Sequence, residues 1–277
     1  TAFIFTVMDT PENKAAMIGR FAVSTLRLLP GFTMAWLRMA WYAGARALPW
    51  RMPFVPRQGT ITLVLTSRKM HPPTPLLKNP RFVFVGPAID PALRPEKFDF
   101  ARLDGRPLIF VSLGTVLFTN RAFFDSCIEA FADFPGQVLL SVGPGTDLAH
   151  FADAPANFIF AGSVPQLEIL PRTSVFITHA GLNSIQEALW FGVPMVAVPH
   201  TPEQARNARI DGEFGAAVVL GEESFGREVT APELRAAVDR VIGDPAYPLA
   251  AVELGKTLHE AGGFSAAADQ IEALLAR

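Results

Sequence analysis

From residue 108 onward, short wholly apolar runs alternate with segments of helical spacing. Residues 108–111, 138–142, 175–177 and 195–198 lack the polar alternation of a half-exposed strand. They therefore predict strands buried on both faces, as in a parallel sheet. Residues 157–161 and 215–220 read as two more strands. Between them, 122–131 predicts a helix, and Leu182, Ile185, Ala188 and Leu189 recur at helical spacing until Gly192-Val193-Pro194 stops the pattern. Residues 203–211 are polar with the same spacing. Thr230 is placed to cap a helix that starts at Pro232-Glu233, and helices around 246–260 and 264–276 follow. Strand–helix alternation of this kind predicts a doubly wound α/β domain, with ligand loops at the carboxyl ends of its strands.

The pattern before residue 100 is different. Residues 2–7 read as a strand, Pro11-Glu12 starts a helix running to about 29, Pro30-Gly31 breaks it, and a second helix covers 33–48. Strands follow at 61–65 and 82–85, separated by a proline-rich loop at 68–81. Residues 88–106 show no periodicity and read as a linker. Three strands are too few for a second complete domain of the same type. In the two early helices Trp36, Trp41, Tyr42 and Trp50 interleave with Arg38, Arg46 and Arg51. Three readings stay open there: a core-facing pair with snorkelling arginines, an acceptor groove, or an interfacial face on anionic lipid.

Composition narrows the function classes. The sequence has 277 residues, 50% hydrophobic and 18% charged, which suits a folded chain with a sizeable core. A single cysteine, Cys127, leaves no disulfide framework and no cysteine-based zinc site. The five histidines show no metal-ligand spacing, so no metal is expected. Residues 1–100 hold 13 Lys and Arg against 5 Asp and Glu, whereas 101–277 hold 11 against 21. This split points to two domains with different partners. The basic residues form no nucleic-acid motif, so no nucleic-acid partner is expected. Arg20, Arg27, Arg38 and Arg46 interrupt every early apolar run before it could span a bilayer. No signal-peptide pattern is present at Thr1, and a cytoplasmic location is expected.

The candidate chemistry lies at residues 174–207. The strand 175–177 runs straight into His179-Ala180-Gly181 and then into a helix. The first N–H groups of a helix lack intrahelical partners and favour an anion. Gly181 would allow close backbone approach, Asn183 and Ser184 add side-chain donors, and His179 adds an imidazole. Several donors converging on one place suit a diphosphate. Glu187, one turn beyond Asn183, could accept two ribose hydroxyls. Turns before helices also carry Gly, Asn and Ser for capping alone, and that reading stays open.

These residues resemble the donor-binding signature of the nucleotide-diphosphate-sugar glycosyltransferases, in the macrolide and antibiotic branch of the UDP-glycosyltransferase superfamily. The resemblance runs through Val164-Pro165-Gln166, His179-Ala180-Gly181-Leu182-Asn183-Ser184, Glu187, Glu203-Gln204 and Asn207. It continues upstream in Val111-Ser112-Leu113-Gly114-Thr115 and Phe84-Val85-Gly86-Pro87, and it covers the chain from about residue 61 to the C-terminus. It implies a GT-B-like fold, two Rossmann-like doubly wound domains facing a cleft. Residues 1–95 would be the C-terminal part of an acceptor-binding domain truncated at its N-terminus. Residues 96–277 would be the donor-binding domain, with the last helix packing back on the first.

The resemblance also implies roles. Gly114 and Thr115 would lie near the donor phosphates, together with His179, Gly181, Asn183 and Ser184. Val164 and Gln166 would read a pyrimidine edge, and Glu187 the ribose. Glu203 and Gln204 would bind sugar hydroxyls. Ser163 stands where the family often has a stacking Trp, which leaves uridine and thymidine donors both open. The implied reaction is an inverting, metal-independent and cofactor-free transfer of a hexose to a hydroxyl of a small, largely apolar acceptor. Its donor would be a nucleoside-diphosphate sugar of the UDP-glucose type. The family's general base is a histidine early in the first domain. None precedes His71, so no catalytic base is assigned and one is expected upstream of Thr1, on a missing segment that another chain could supply. A donor-binding protein without turnover, and a nucleotide-sugar epimerase or hydrolase, are the alternatives.

Overall fold

The computed structural model describes residues 60–71, 78–90, 97–114, 121–221 and 228–276. The early strand and the two Trp/Arg helices expected before residue 50 lie outside the described residues. The chain divides into two compact units, residues 1–62 with 74–81, and residues 63–73 with 82–277. The division falls inside the stretch assigned above to the first domain, and everything functional described below belongs to the second unit.

A small two-stranded sheet pairs β1 (Thr62–Val64) with β2 (Phe82–Phe84). The main sheet has six strands: β3 (Leu108–Ser112), β4 (Gln137–Ser141), β5 (Phe158–Ala161), β6 (Val175–Thr178), β7 (Met195–Ala197) and β8 (Ala217–Val219). Their spatial order is β5-β4-β3-β6-β7-β8, and every neighbouring pair is parallel. This is the doubly wound dinucleotide-fold order, with its switch point between β3 and β6, where a crevice opens beyond the carboxyl ends of the strands.

The apolar runs form strands because both faces are covered. Ile109 and Val111 join Val138, Leu140, Val175 and Ile177 in one buried cluster, with α1 (Arg121–Phe131) and α5 (Ala231–Gly243) packed on it. Leu108 and Phe110 point the other way and join Leu139, Phe176 and Met195. Phe110 and Phe176 stack there at 4.8 Å. On that side lie α2 (Gln166–Ile169), α3 (Leu182–Trp190), α4 (Pro202–Glu213) and α6 (Ala246–Glu260). The crossing of α3 and α6 needs Gly255, because a Cβ there would meet the Leu189 carbonyl oxygen at 2.1 Å. The final helix, α7 (Gly263–Leu275), exposes Phe264, Ile271 and Leu275.

Two local expectations change. Residues 97–106 are not a structureless linker. They hold a 3-10 turn at Phe100–Arg102, stitched to the sheet by Gln137, whose Oε1 accepts from Asp104 N at 2.8 Å and whose Nε2 donates to Arg102 O at 2.9 Å. Gln166 starts α2 rather than sitting in an exit loop, because Glu168 N and Ile169 N both donate to the Pro165 carbonyl. The Thr230 cap is as expected: its N–H donates to Glu233 at 2.9 Å. Among the described residues no helix is long and apolar enough to cross a membrane.

Candidate functional site

A cleft of about 460 Å³ opens at the switch point of the sheet. Loops leaving β3, β4, β5 and β6 all reach it. Ser112 and Gly114 come from the first, Ser141, Gly143 and Pro144 from the second, and Gly162 through Gln166 from the third. The β6 turn and α3 supply His179, Gly181, Leu182, Asn183, Ser184 and Glu187.

The start of α3 is left open. Its N-cap is Gly181, with φ −65° and ψ 141°, and no side chain caps it. The first intrahelical bond from outside its own run is Ile185 N to Gly181 O, at 3.0 Å. The N–H groups ahead of Ile185 therefore keep no helical partner and stand over the cleft. A Ser or Asp at the N-cap would take up one of those donors; glycine cannot. What remains is a set of oriented donors at the positive end of a helix dipole.

His179 is clamped beside that helix start. A Cβ on Gly114 would lie 2.6 Å from its Cε1, and a Cβ on Gly181 would lie 2.6 Å from its Nε2. Two glycines, from two different strand ends, thus make the slot for one ring. Gly114 also needs its freedom for a positive φ of 76°, but Gly181 has an ordinary extended backbone. At 181 it is the ring, not the backbone angle, that excludes a side chain. Burial pushes the imidazole down to about 4, the charge of His200 adds to this, and the nearby Ser112 backbone opposes it. His179 is therefore neutral at pH 7, and its buried Nδ1 makes no hydrogen bond of good geometry.

The cleft contains no Lys or Arg among its described lining residues. Its acidic side chains are Glu168, which is exposed, and Glu187, which is only 3% exposed. Gln166 Nε2 donates to Glu187 Oε2 at 2.7 Å, so the residues expected to read a base and a ribose meet.

The structure brings together Gly114, Val164, Gln166, His179, Gly181, Asn183, Ser184 and Glu187 in the lining of this cleft. Thr115 lies outside the described residues. Glu203 and Gln204 do not line it. They sit in the first turn of α4, where Glu203 Oε1 accepts from Asn207 Nδ2 at 2.8 Å and Gln204 Oε1 accepts from His200 N at 2.8 Å. Sequence reasoning missed Ser141, Gly143 and Pro144. The signal was present: Gly143-Pro144-Gly145 breaks the chain directly after an apolar strand, at the same rim as His179. Among the described residues no cluster of His, Cys, Asp and Glu could hold a metal ion.

The same architecture is found in solved glycosyltransferases. The glycosyltransferase of kitacinnamycin superposes with a TM-score of 0.74 at 30% identity, covering 95% of this chain and 68% of that one. The calicheamicin glycosyltransferase CalG4 gives 0.66, also at 30% identity, over 79% of this chain and 53% of that one. The fold is thus GT-B-like. The chain belongs to the family described as "UDP-glucoronosyl and UDP-glucosyl transferase", which residues 32–262 match. Among its relatives, the NDP-glycosyltransferase YjiC of Bacillus licheniformis is 44% identical over 197 residues, which is 71% of this chain and 49% of the relative. The chain spans about half the length of the curated relatives it matches.

Proposed function

We propose that this chain binds a nucleoside-diphosphate sugar in the switch-point cleft and serves inverting transfer of its hexose to a hydroxyl of a small, largely apolar acceptor. The observation that carries the reading is the uncapped start of α3 beside His179, at the place where the doubly wound order reverses. The diphosphate sits on the free N–H groups of α3, with Asn183 and Ser184 in the same turn. The ribose faces the Glu187–Gln166 pair, and the base lies toward Val164, Ser163 and Pro144. UDP is the expected nucleotide. Donor charge is met by N–H groups and a neutral imidazole, so binding proceeds without a divalent cation.

In transfer, the acceptor oxygen forms a bond to the anomeric carbon while the bond to the diphosphate oxygen breaks, and the nucleoside diphosphate leaves. The α3 donors, aimed at the leaving oxygens, stabilise the charge that develops on them. The acceptor proton goes to a base that the described residues do not supply. Calorimetry with UDP, uridine and UDP-glucose, with and without chelator, tests the binding step. UDP binding at micromolar affinity, unaffected by chelator and lost with uridine, supports the reading. Equal affinity for uridine and UDP rejects the diphosphate site.

A further inference from the structure

The turn that carries His179 into α3 is bent in an unusual way. Ala180 adopts φ +63°, and it is the one non-glycine residue with a positive φ among the described residues. A side chain with a Cβ is disfavoured there, so surrounding contacts must hold it. Ala180 is fully buried, and two hydrogen bonds grip its peptide units. Thr178 Oγ1 accepts from Ala180 N at 3.3 Å, and Asn207 Nδ2 donates to Ala180 O at 3.2 Å.

Asn207 reaches this turn from the second turn of α4. It is 4% exposed, and the same Nδ2 also donates to Glu203 Oε1 at 2.8 Å. Both partners are acceptors, so the amide nitrogen, not the oxygen, must face them. Its Oδ1 is buried without a hydrogen-bond partner. The residue leaves a buried acceptor unsatisfied while both of its donors are used, which points to the donors as the reason for an amide here.

We propose that Asn207 is a positioning residue of the anion site: through its bond to the Ala180 carbonyl it holds the left-handed turn that aims the first N–H groups of α3 and seats the His179 ring, and Glu203 orients it. This inference rests on the nucleotide reading for its ligand, but not for its structural content. It also gives Glu203 a role that does not involve the sugar.

Glycine takes φ +63° without a Cβ penalty, so Ala180→Gly makes the turn less dependent on Asn207. In the full 277-residue chain, Asn207→Ala is expected to weaken UDP about tenfold, and Asn207→Asp, which sets a carboxylate against a carbonyl and Glu203, more than that. Adding Ala180→Gly to Asn207→Ala is expected to recover about fivefold or more, against less than about twofold gain in the wild-type background. Glu203→Ala weakens UDP about threefold although UDP lacks the transferred hexose, and Glu203→Gln, which keeps an acceptor, restores it. The His179 Cε1–H signal, followed by NMR without ligand, shifts in Asn207→Ala and returns in the double variant. Equal gains from Ala180→Gly in both backgrounds, or an unmoved His179 signal in Asn207→Ala, overturn the proposal. Should the wild-type chain fail to bind UDP, the nucleotide reading fails, and the relay stands or falls on the His179 signal alone.

Discussion

Two helices start at neighbouring strands of one sheet rim, α3 after β6 and α4 after β7, and their first turns are closed differently. The α4 start is satisfied from within: Thr201 Oγ1 accepts from Gln204 N at 3.3 Å, and Gln204 Oε1 accepts from His200 N at 2.8 Å. The α3 start has a glycine N-cap with no side-chain bond, and a cleft in front of it. The two sequences look alike, since each has a histidine followed closely by polar residues. The difference is one of satisfaction. A helix whose orphan donors are capped by its own side chains has few left for a ligand, whereas one left uncapped beside a cavity keeps donors that favour an anion. The capped helix still serves the open one, because Asn207 of α4 holds the Ala180 turn.

The largest expected effect that would break this contrast comes from Gly181→Ala. A Cβ 2.6 Å from His179 Nε2 forces the ring or the helix start to move. Overpacking of this kind costs about 1–3 kcal/mol of stability, and UDP binding is expected to fall below detection. Thermal unfolding and calorimetry read the two effects separately. Retained UDP affinity would show that the slot does not matter to the ligand.

Next come His179→Ala and Glu187→Ala. Each removes a group that lines the cleft and that we propose meets the ligand, and loss of a hydrogen bond to a charged partner costs about 1.5–3 kcal/mol, roughly tenfold or more in affinity. Unchanged affinity in both variants would move the ligand away from α3.

Acid stability separates the two helices by sign. His179 has a folded pKa held down to about 4, below its unfolded value, so the unfolded chain binds the extra proton. Its contribution is complete above about pH 6.5 and is lost as pH falls through 4, about 3 kcal/mol in all. His179→Gln is expected to flatten that acid limb. Asp211 of α4 behaves oppositely. Its carboxyl is fully buried, neither oxygen has a hydrogen-bond partner, and burial raises its pKa well above the usual carboxylate range. The folded chain then holds the extra proton, so stability falls as pH rises above the unfolded carboxylate range. Asp211→Asn should therefore stabilise the protein at pH 7 and change it little at pH 4, as denaturant unfolding at the two pH values would show.

The smallest effects belong to Thr201 and Gln204, which close the start of α4. Thr201→Ala should cost about 1 kcal/mol of stability and leave UDP affinity unchanged. Gln204→Ala should weaken intact UDP-glucose by about 1 kcal/mol while nearly sparing UDP, if its amide also reaches the sugar. Equal losses for both ligands would confine it to supporting the His200 loop.

Much of this fold was legible because burial on both sheet faces leaves a strong mark. No polar alternation could hide the strands at 108–112, 137–141 or 175–178, and the Thr230–Glu233 box announced its helix. Other features depend on contacts that no local pattern encodes. Gly114 and His179 are far apart in the chain and meet only because β3 and β6 pair at the switch point. Gln137 looks like an ordinary strand-end residue, yet it orders residues 102–104 through two bonds. Glu203 and Gln204 show the limit most clearly. A carboxylate and an amide can read a diol or cap a helix with the same atoms, so residue type alone cannot choose between those roles.

The central claim is that the uncapped start of α3 receives the diphosphate. Backbone amide NMR during titration with UDP tests it most directly, with uridine as the control. The account predicts that UDP shifts the Leu182, Asn183 and Ser184 amide signals strongly, that uridine leaves them in place, and that the amides of Glu203 and Gln204 move little. Shifts centred on the first turn of α4, or equal shifts from uridine and UDP at α3, would contradict it.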